Sequence, residues 1–442
     1  MKIITLASLI ILSAVGICST SEDECIPVTW YQDADGDGFG NPEVSLDACE
    51  APTYYVSNSD DPDDENDKIF PGSEEPISEN EPCDELKEFV GDVFLSTQKE
   101  VEDFGKKCIG KIIGDLRLGK FYPTTDDPIT DLSPLANLSE VEKSLVILGN
   151  QELKSLEGLH ALKSVNEVVS ILGNSLLSDL KGLRNLEKIA YELEITDNQS
   201  LVSLEGLEKI KSTNSNLLIQ GNTNLLSLKG LSGLEIISAI YVADNPKLEN
   251  LKELKSIKSI NSLGIYQNER FSNFFDENHL PETLRFLIIE KNPSLLTLEG
   301  LSEKTAQLDG YILIKDNKNL ISLTGLYPNH RLIGDIEIED NENLKDIKSL
   351  ATIVIVERNL HIINNDQLTS LEGLDNVQSA GKTFPNLPNS PTFSLQIFAN
   401  DRLVDLCAIQ GLLSSGYAPI VNIVTNKYNP SVEDIKSGKC KE

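Results

Sequence analysis

Positive charge is scarce in this chain. Its 442 residues carry 38 Lys and Arg against 70 Asp and Glu, a formal net charge of −32. Binding to nucleic acid rests on cationic side chains that neutralise phosphates, so nucleic acid is excluded as a partner, while cations and basic surfaces are favoured. Histidine is sparser still: His160, His279, His330 and His361 are all there are, and they stand at unrelated points of the pattern described below. No phosphate loop follows a strand pattern, and no cysteine sits with a catalytic partner. The chain therefore reads as non-enzymatic. Cysteine is missing altogether between Cys108 and Cys407. Long apolar runs are missing after Ile17, so no later stretch is expected to cross a bilayer.

The one apolar run, Ile3 to Ile17 behind Met1-Lys2, has the length and flanks of an export signal, placed at residues 1–17. Two fates remain open for Cys18. It is removed with the signal, or it is acylated as in a bacterial lipoprotein. The Ser-Thr-Ser-Glu-Asp-Glu that follows it resembles the stretch that sends some Gram-negative lipoproteins to the outer face of the outer membrane, with a lipid anchor there. Ile17 departs from the small residue usual before such a cysteine. The expected location is exported: cell surface or secreted.

What the sequence has in abundance is a repeat. An Asn recurs at 150, 174, 198, 222, 245, 268, 292, 317, 341 and 365, at steps of 23 to 25 residues, and returns at Asn400 and Asn426 after an insertion. Such a period marks a stacked-repeat solenoid. Before each Asn the chain alternates, as in Leu193/Ile195 and Ile312/Ile314, which predicts a strand with one buried face. After it comes Leu-x-x-Leu-x-Gly-Leu, which buries a second side, and pairs such as Leu186 and Ile189 close a third. The Asn amide suits a buried corner because it both donates and accepts. Gly158, Gly182, Gly206, Gly230, Gly300, Gly325 and Gly373 suit a second corner needing φ > 0. The predicted fold is mainly β: a right-handed parallel β-solenoid of about twelve turns, a rod of about 55 Å.

Helical ends are expected. Val93–Gly105 reads as a strand and then a helix, with Ser96 or Thr97 as N-cap and Glu100 closing a capping box, and Leu403–Leu413 reads as a second short helix. The rhythm breaks after Asn268, where Phe271, Phe274 and Phe275 replace leucines, and at the proline-rich insert 379–392. Both are read as a repaired turn and a loop.

Residues 18–82 form an acidic module and linker, with nineteen Asp and Glu against one Lys between residues 21 and 82. Asp33, Asp35 and Asp37 alternate before Gly38, followed by the carbonyl of Phe39, which is the first half of a calcium loop. Oxygen ligands favour calcium over zinc or copper. Val44 stands where a complete EF-hand would have Glu, and the cluster Asp60–Asp64, with Asp61, Asp63 and Asp64 as ligands, is expected to finish the coordination. The cysteines other than Cys18 fall into three local pairs, read as disulfides Cys25–Cys49, Cys83–Cys108 and Cys407–Cys440.

Two family resemblances follow from these residues. The order Trp30-Tyr-x-Asp33-x-Asp35-Gly-Asp37-Gly-Phe39-Gly, then Cys49, Tyr55-Val56, the Asp cluster and Pro71-Gly-Ser-x-Glu75 resembles a bacterial extracellular metal-binding module. Thrombospondin type 3 calcium repeats are loosely similar to it. That module carries a Cys within its Asp cluster, where this chain has Pro62. Residues 83–440 resemble the receptor L domain, the leucine-rich β-solenoid of insulin and epidermal growth factor receptor ectodomains, in its bacterial form. Leu95-Ser-Thr-Gln-x-Glu-Val-x-x-Phe-Gly105 and Asn429-Pro-Ser-x-Glu-Asp-Ile-x-x-Gly-x-Cys440 carry this resemblance. It implies a domain over 83–442 that binds a ligand on its sheet face.

The outward strand positions include Val146, Leu148, Leu172, Leu218, Tyr241, Tyr266, Ile288, Leu313, Ile363 and Phe398, an apolar and aromatic surface suited to contact. The functional expectation is an adhesion or binding protein for an extracellular protein or glycan, with calcium as its cofactor. A structural envelope spacer and a polysaccharide-active solenoid enzyme are the alternatives. The outward acids Glu194, Glu290, Glu337 and Glu339 show no basic partner cluster in the sequence.

Overall fold

In the computed structural model the described residues are 27–36, 38–61, 64, 83, 85–121, 126–275, 283–301, 308–381 and 394–442. The chain divides into two compact units, Met1–Pro82 and Cys83–Glu442. Among the described residues no helix is long and apolar enough to cross a membrane.

The first unit holds a small antiparallel sheet in which Val28–Gln32 lies between Ser45–Ala48 and Tyr55–Val56. The Trp30 indole donates to the Ala48 carbonyl at 3.2 Å, and Cys49 is disulfide-bonded. Its expected partner Cys25 lies outside the described residues, as does Cys18.

The second unit is a parallel β-solenoid. Fourteen strands, from Val93–Leu95 to Val421–Val424, stack in chain order into one parallel sheet. Thirteen spacings of about 4.8 Å give a rod of about 62 Å. The extra length comes from Val93–Leu95 and Leu116–Gly119, two strands that precede the first Asn of the repeat. Equal repeat length keeps the register: Leu193 pairs with Leu217 and Ile195 with Ile219, inward against inward. A second side carries two short parallel sheets, one of five strands that includes Lys188–Ile189 and one of three running Arg331–Leu332, Ile355–Val356, Ser379–Ala380. Inward residues of every side meet in one continuous core. In a typical turn Leu193, Ile195, Leu201, Leu204, Leu207 and Ile210 are all fully buried.

Both kinds of corner have a physical account. Each of the twelve Asn residues follows a residue with positive φ: Gly at 149, 173 and 221, and elsewhere Asp197, Asp244, Gln267, Lys291, Asp316, Asp340, Asn364, Ala399 and Thr425. This column was not expected from the sequence. Asp and Asn tolerate the left-handed region, but Gln, Lys, Ala and Thr do so at a cost, which the Asn bonds described below offset. At the other corner Gly230 has φ +114°, and an added Cβ would lie 1.8 Å from the Leu204 carbonyl of the turn beneath. Gly182 corrects the expected reason. It sits in the 3₁₀ turn Lys181–Leu183 without positive φ, yet its Cβ would lie 1.9 Å from the Leu156 carbonyl. Close approach between turns, rather than φ alone, selects glycine there.

Phe271, Phe274 and Phe275 are buried, with the first two edge to face at 5.2 Å between centroids. They fill the leucine positions of their turn from inside. Most of the insert 379–392 lies outside the described residues. Helix α1 (Gln98–Gly105) begins at Thr97, whose hydroxyl accepts from the Glu100 amide while Glu100 bonds back, and it turns Val101 and Phe104 into the core. Near the other end a 3₁₀ turn, Cys407–Ile409, leads into α2 (Gln410–Ser415), and α3 (Val432–Lys436) follows with Ser431 and Asp434 forming a second capping box. Disulfides join Cys83 to Cys108 and Cys407 to Cys440.

Candidate functional site

Three features of the surface bear on function. The first is the acidic loop. Asp33 is buried and pins the loop itself: its carboxylate accepts from the amides of Gly36 at 2.8 Å and Gly38 at 3.2 Å. Asp64 reaches in from the later cluster and accepts from the Ala34 amide at 2.7 Å. Carboxylate oxygens of Asp33, Asp35 and Asp64 lie within 4.8 Å of one another. Asp61 is buried and donates its amide to the Gly40 carbonyl, and it falls outside that group of three. Asp37 and Asp63 lie outside the described residues. Phe39, whose carbonyl was expected to ligate, stands between Gly38 and Gly40, and sequence reading overlooked what holds it there. The Asn58 amide donates to the Gly38 carbonyl at 3.0 Å and accepts from the Gly40 amide at 3.1 Å. Hard oxygen donors brought together from two separated segments make the donor set that calcium takes.

The second feature is the outer face of the large sheet. Leu218, Tyr241, Ile288 and Leu313 occupy one column in register, with Gly264 between Tyr241 and Ile288. Tyr266, Ile363 and Phe398 occupy the next column, where Glu290, Lys315 and Glu339 separate Tyr266 from Ile363. All seven are half-buried. The rings of Tyr241 and Tyr266 lean over Gly264, whose added Cβ would meet both within 2.8 Å. Burial, then the neighbouring Tyr241 and Glu290, pushes the Tyr266 phenol above its ordinary value. Lys315 pairs with Glu339 at 2.7 Å. Leu148 departs from the expectation: it is 1% exposed, although it takes no part in the core.

The third feature was missed. Two residues before the inward strand residues Leu287, Ile312, Ile336 and Leu360, the register stacks Arg285, Gly310, Gly334 and Arg358 in one column, and one residue later Phe286, Tyr311, Asp335 and Asn359 in the next. Two successive glycines between two arginines leave a notch of about 510 Å³, lined also by Ile333 and Glu337. Neither glycine admits a side chain: a Cβ on Gly310 would lie 2.8 Å from the Phe286 ring, and one on Gly334 2.8 Å from the Gly310 carbonyl. The polar groups around the notch hold one another in place. Arg285 Nε donates to Asp309 at 2.8 Å and lies over the Phe286 ring at 5.6 Å. Arg358 faces the buried Asp335 at 3.4 Å, and Asp335 also accepts from the Asn359 amide side chain at 2.7 Å. The Tyr311 hydroxyl donates to Glu337 at 2.8 Å, and burial together with that carboxylate pushes its pKa well above the ordinary value. Beyond Ile333 lies a second hollow of about 360 Å³, lined by Asp309, Asn329, Arg331 and Glu357, where Arg331 is paired to the buried Glu357 at 2.5 Å.

These arginines pair with Asp309, Asp335 and Glu357 rather than with the outward acids, of which Glu337 accepts from the Tyr311 hydroxyl, Glu290 pairs with Lys291 and Glu339 with Lys315. Arg285 and Arg358 escaped notice because they precede the strands of the large sheet, and Arg331 because it lies on a short strand of the second side. Only the stacking brings positions 285, 331 and 358 to one side. No protein-family model matches the chain, and comparison with curated proteins and with solved structures returns no match.

Proposed function

We propose that this chain is an exported, non-enzymatic binding protein of the cell surface or the secreted fraction. Its solenoid, read as the leucine-rich L-domain type with helical caps, presents the outer sheet face to an extracellular protein or glycan. Calcium held by Asp33, Asp35 and Asp64 orders the N-terminal module, in keeping with the resemblance to extracellular calcium repeats. One observation carries the binding reading above the others. Apolar and aromatic side chains at Leu218, Tyr241, Tyr266, Ile288 and Leu313 are half-exposed in locked register on a sheet held rigid from behind by a continuous core. A rigid surface loses little conformational freedom on binding, and the few residues that carry most of the energy at protein interfaces are enriched in tyrosine.

The test uses the full chain, immobilised and screened against an oligosaccharide array and against extracellular protein fractions. Specific capture that weakens in a double variant, Tyr241→Ala with Ile288→Ala, supports the reading. Capture unchanged by that variant, or no saturable ligand in either screen, leaves the spacer reading in its place.

A further inference from the structure

We infer that the notch between Arg285 and Arg358 is a subsite for a neutral saccharide. The inference rests on the binding reading above and narrows it to a ligand class and a place. Three properties of the notch lead there.

Shape comes first. The glycines at 310 and 334 remove the side chains of two successive turns, while Arg285 and Arg358 close the gap at both ends. Three turn spacings put the two arginines about 14 Å apart. An extended peptide or a polymer strand running along the axis would meet both. A compact ring fits between them, and the volume of about 510 Å³ lies in the range of small-ligand sites.

Charge comes second. The notch and the adjoining hollow hold Arg285, Arg331 and Arg358 against Asp309, Asp335, Glu337 and Glu357, one net negative charge, and each arginine faces a carboxylate. An anion would have to displace those carboxylates, and a metal cation would meet three guanidinium groups. A neutral ligand disturbs neither.

Hydrogen-bonding chemistry comes third. Sugar hydroxyls donate and accept at once, so they match a wall that alternates fixed guanidinium donors and carboxylate acceptors. The half-exposed Phe286 ring supplies an apolar plate. With the Arg285 guanidinium over the ring, the face it does not cover attracts the positive C–H edge of a sugar ring. Tyr311 and Glu337 are already joined, so the wall is ordered before a ligand arrives, which lowers the entropic cost of binding.

The experiment uses the full chain and a defined panel: glucose, galactose, mannose, N-acetylglucosamine and their disaccharides, with glucuronate and a sugar phosphate as charged counterparts. Saturation-transfer NMR detects binding at millimolar concentration and calorimetry measures it. At least one neutral sugar is expected to bind. Phe286→Ala should weaken it about tenfold or more and Arg358→Gln by a similar factor, while Phe121→Ala, an exposed ring outside the sheet face and several turns away, changes it less than about twofold. Matching thermal melts establish that the variants fold, and Tyr311→Phe, which keeps the ring, supplies a gentler variant expected to lose about threefold. If a neutral sugar binds but Phe286→Ala and Arg358→Gln leave it unchanged, the notch is refuted and binding elsewhere on the face survives. Preference for the charged counterparts overturns the neutral assignment. Silence across the panel overturns the saccharide inference, and the separate screen of protein fractions then decides whether the broader reading stands.

Discussion

Replacing Asn222 by Ala puts the asparagine column to a quantitative test. The Asn222 side chain makes five hydrogen bonds in a fully buried corner. Its Nδ2 donates to the carbonyls of Ile195 at 2.9 Å and Gln220 at 3.0 Å and to Asn245 Oδ1 at 3.3 Å. Its Oδ1 accepts from the Asn198 backbone amide at 3.0 Å and from Asn198 Nδ2 at 3.3 Å. Alanine removes all of them. The Asn198 side chain retains bonds to Ile171 and Thr196, so its loss is small. The Asn198 N–H loses this acceptor inside the rod, at about 1–3 kcal/mol. Two carbonyls each lose a donor, at about 0.5–1.5 kcal/mol apiece. The sum is roughly 2–6 kcal/mol. Gln220 and Gly221 must also hold their corner without the amide that bridges it, and Gly221 has φ +67°. Urea denaturation followed by circular dichroism, with hydrogen exchange to locate the opening, measures the effect. Tyr266→Ala on the outer face is the control, with an expected cost below about 1 kcal/mol. If Asn222→Ala melts with the wild type, the column does not hold the corners. If Tyr266→Ala unfolds the rod instead, the assignment of the strand faces is wrong throughout, because a slip of one residue exchanges every inward position for an outward one.

Three further outcomes are expected. Calcium titrated into the full chain by calorimetry should bind with a dissociation constant of about 10⁻⁴ to 10⁻³ M, and Asp35→Ala should abolish the heat; unchanged binding in that variant would remove the site from this loop. Peptide mapping without reduction should recover Cys83–Cys108, Cys407–Cys440 and Cys25–Cys49, and Cys407→Ala with Cys440→Ala should speed amide exchange first in Val421–Val424, since a stacked rod opens from its weakened end. Gly230→Ala should destabilise by more than about 1 kcal/mol because of its φ and the Leu204 carbonyl beneath it, whereas Gly411→Ala, in helix α2 with nothing within 4 Å, should stabilise by about 0.5–1 kcal/mol; thermal melts that move in the same direction for both would contradict the packing argument.

The solenoid was legible because its information is local and repeated. Leu193, Ile195, Asn198, Leu201 and Leu204 declare one turn, and the same pattern twelve times declares the stack. What stayed hidden depends on relations between turns. The positive φ before each Asn has no single residue type as its signature: Asp197, Lys291 and Thr425 share a backbone conformation imposed by the ladder, not by their side chains. Gly182 looks like its neighbours in sequence but is there for clearance alone. The notch exists because Gly310 lands on Gly334 between Arg285 and Arg358, an alignment that needs the register of four strands. In the acidic loop the carboxylates were readable, but which member of the later cluster turns inward was not. Asp64 brings its carboxylate to Asp33 and Asp35, whereas Asp61, though buried, is outside that group and bonds Gly40 through its backbone amide, and the clamp at Asn58 had no motif to mark it.

The asparagine ladder has one further consequence, for how such a rod changes length. Each rung is read by the rung before it through one oxygen. The link from Asn365 to Asn400 spans 35 residues and has the same backbone-to-Oδ1 bond, 3.0 Å, as links that span 24. At the far end Asn426 donates to Asn429, three residues away, so a side chain from the same turn takes the place of the absent next rung. The joint is thus indifferent to how much chain lies between rungs and to how many rungs there are. Excising one whole turn, from Asn198 to the residue before Asn222, brings together two surfaces that already fit. A shorter rod of this kind should fold with its ends and its ladder intact, so that length behaves as a countable, adjustable property rather than as part of the fold's identity.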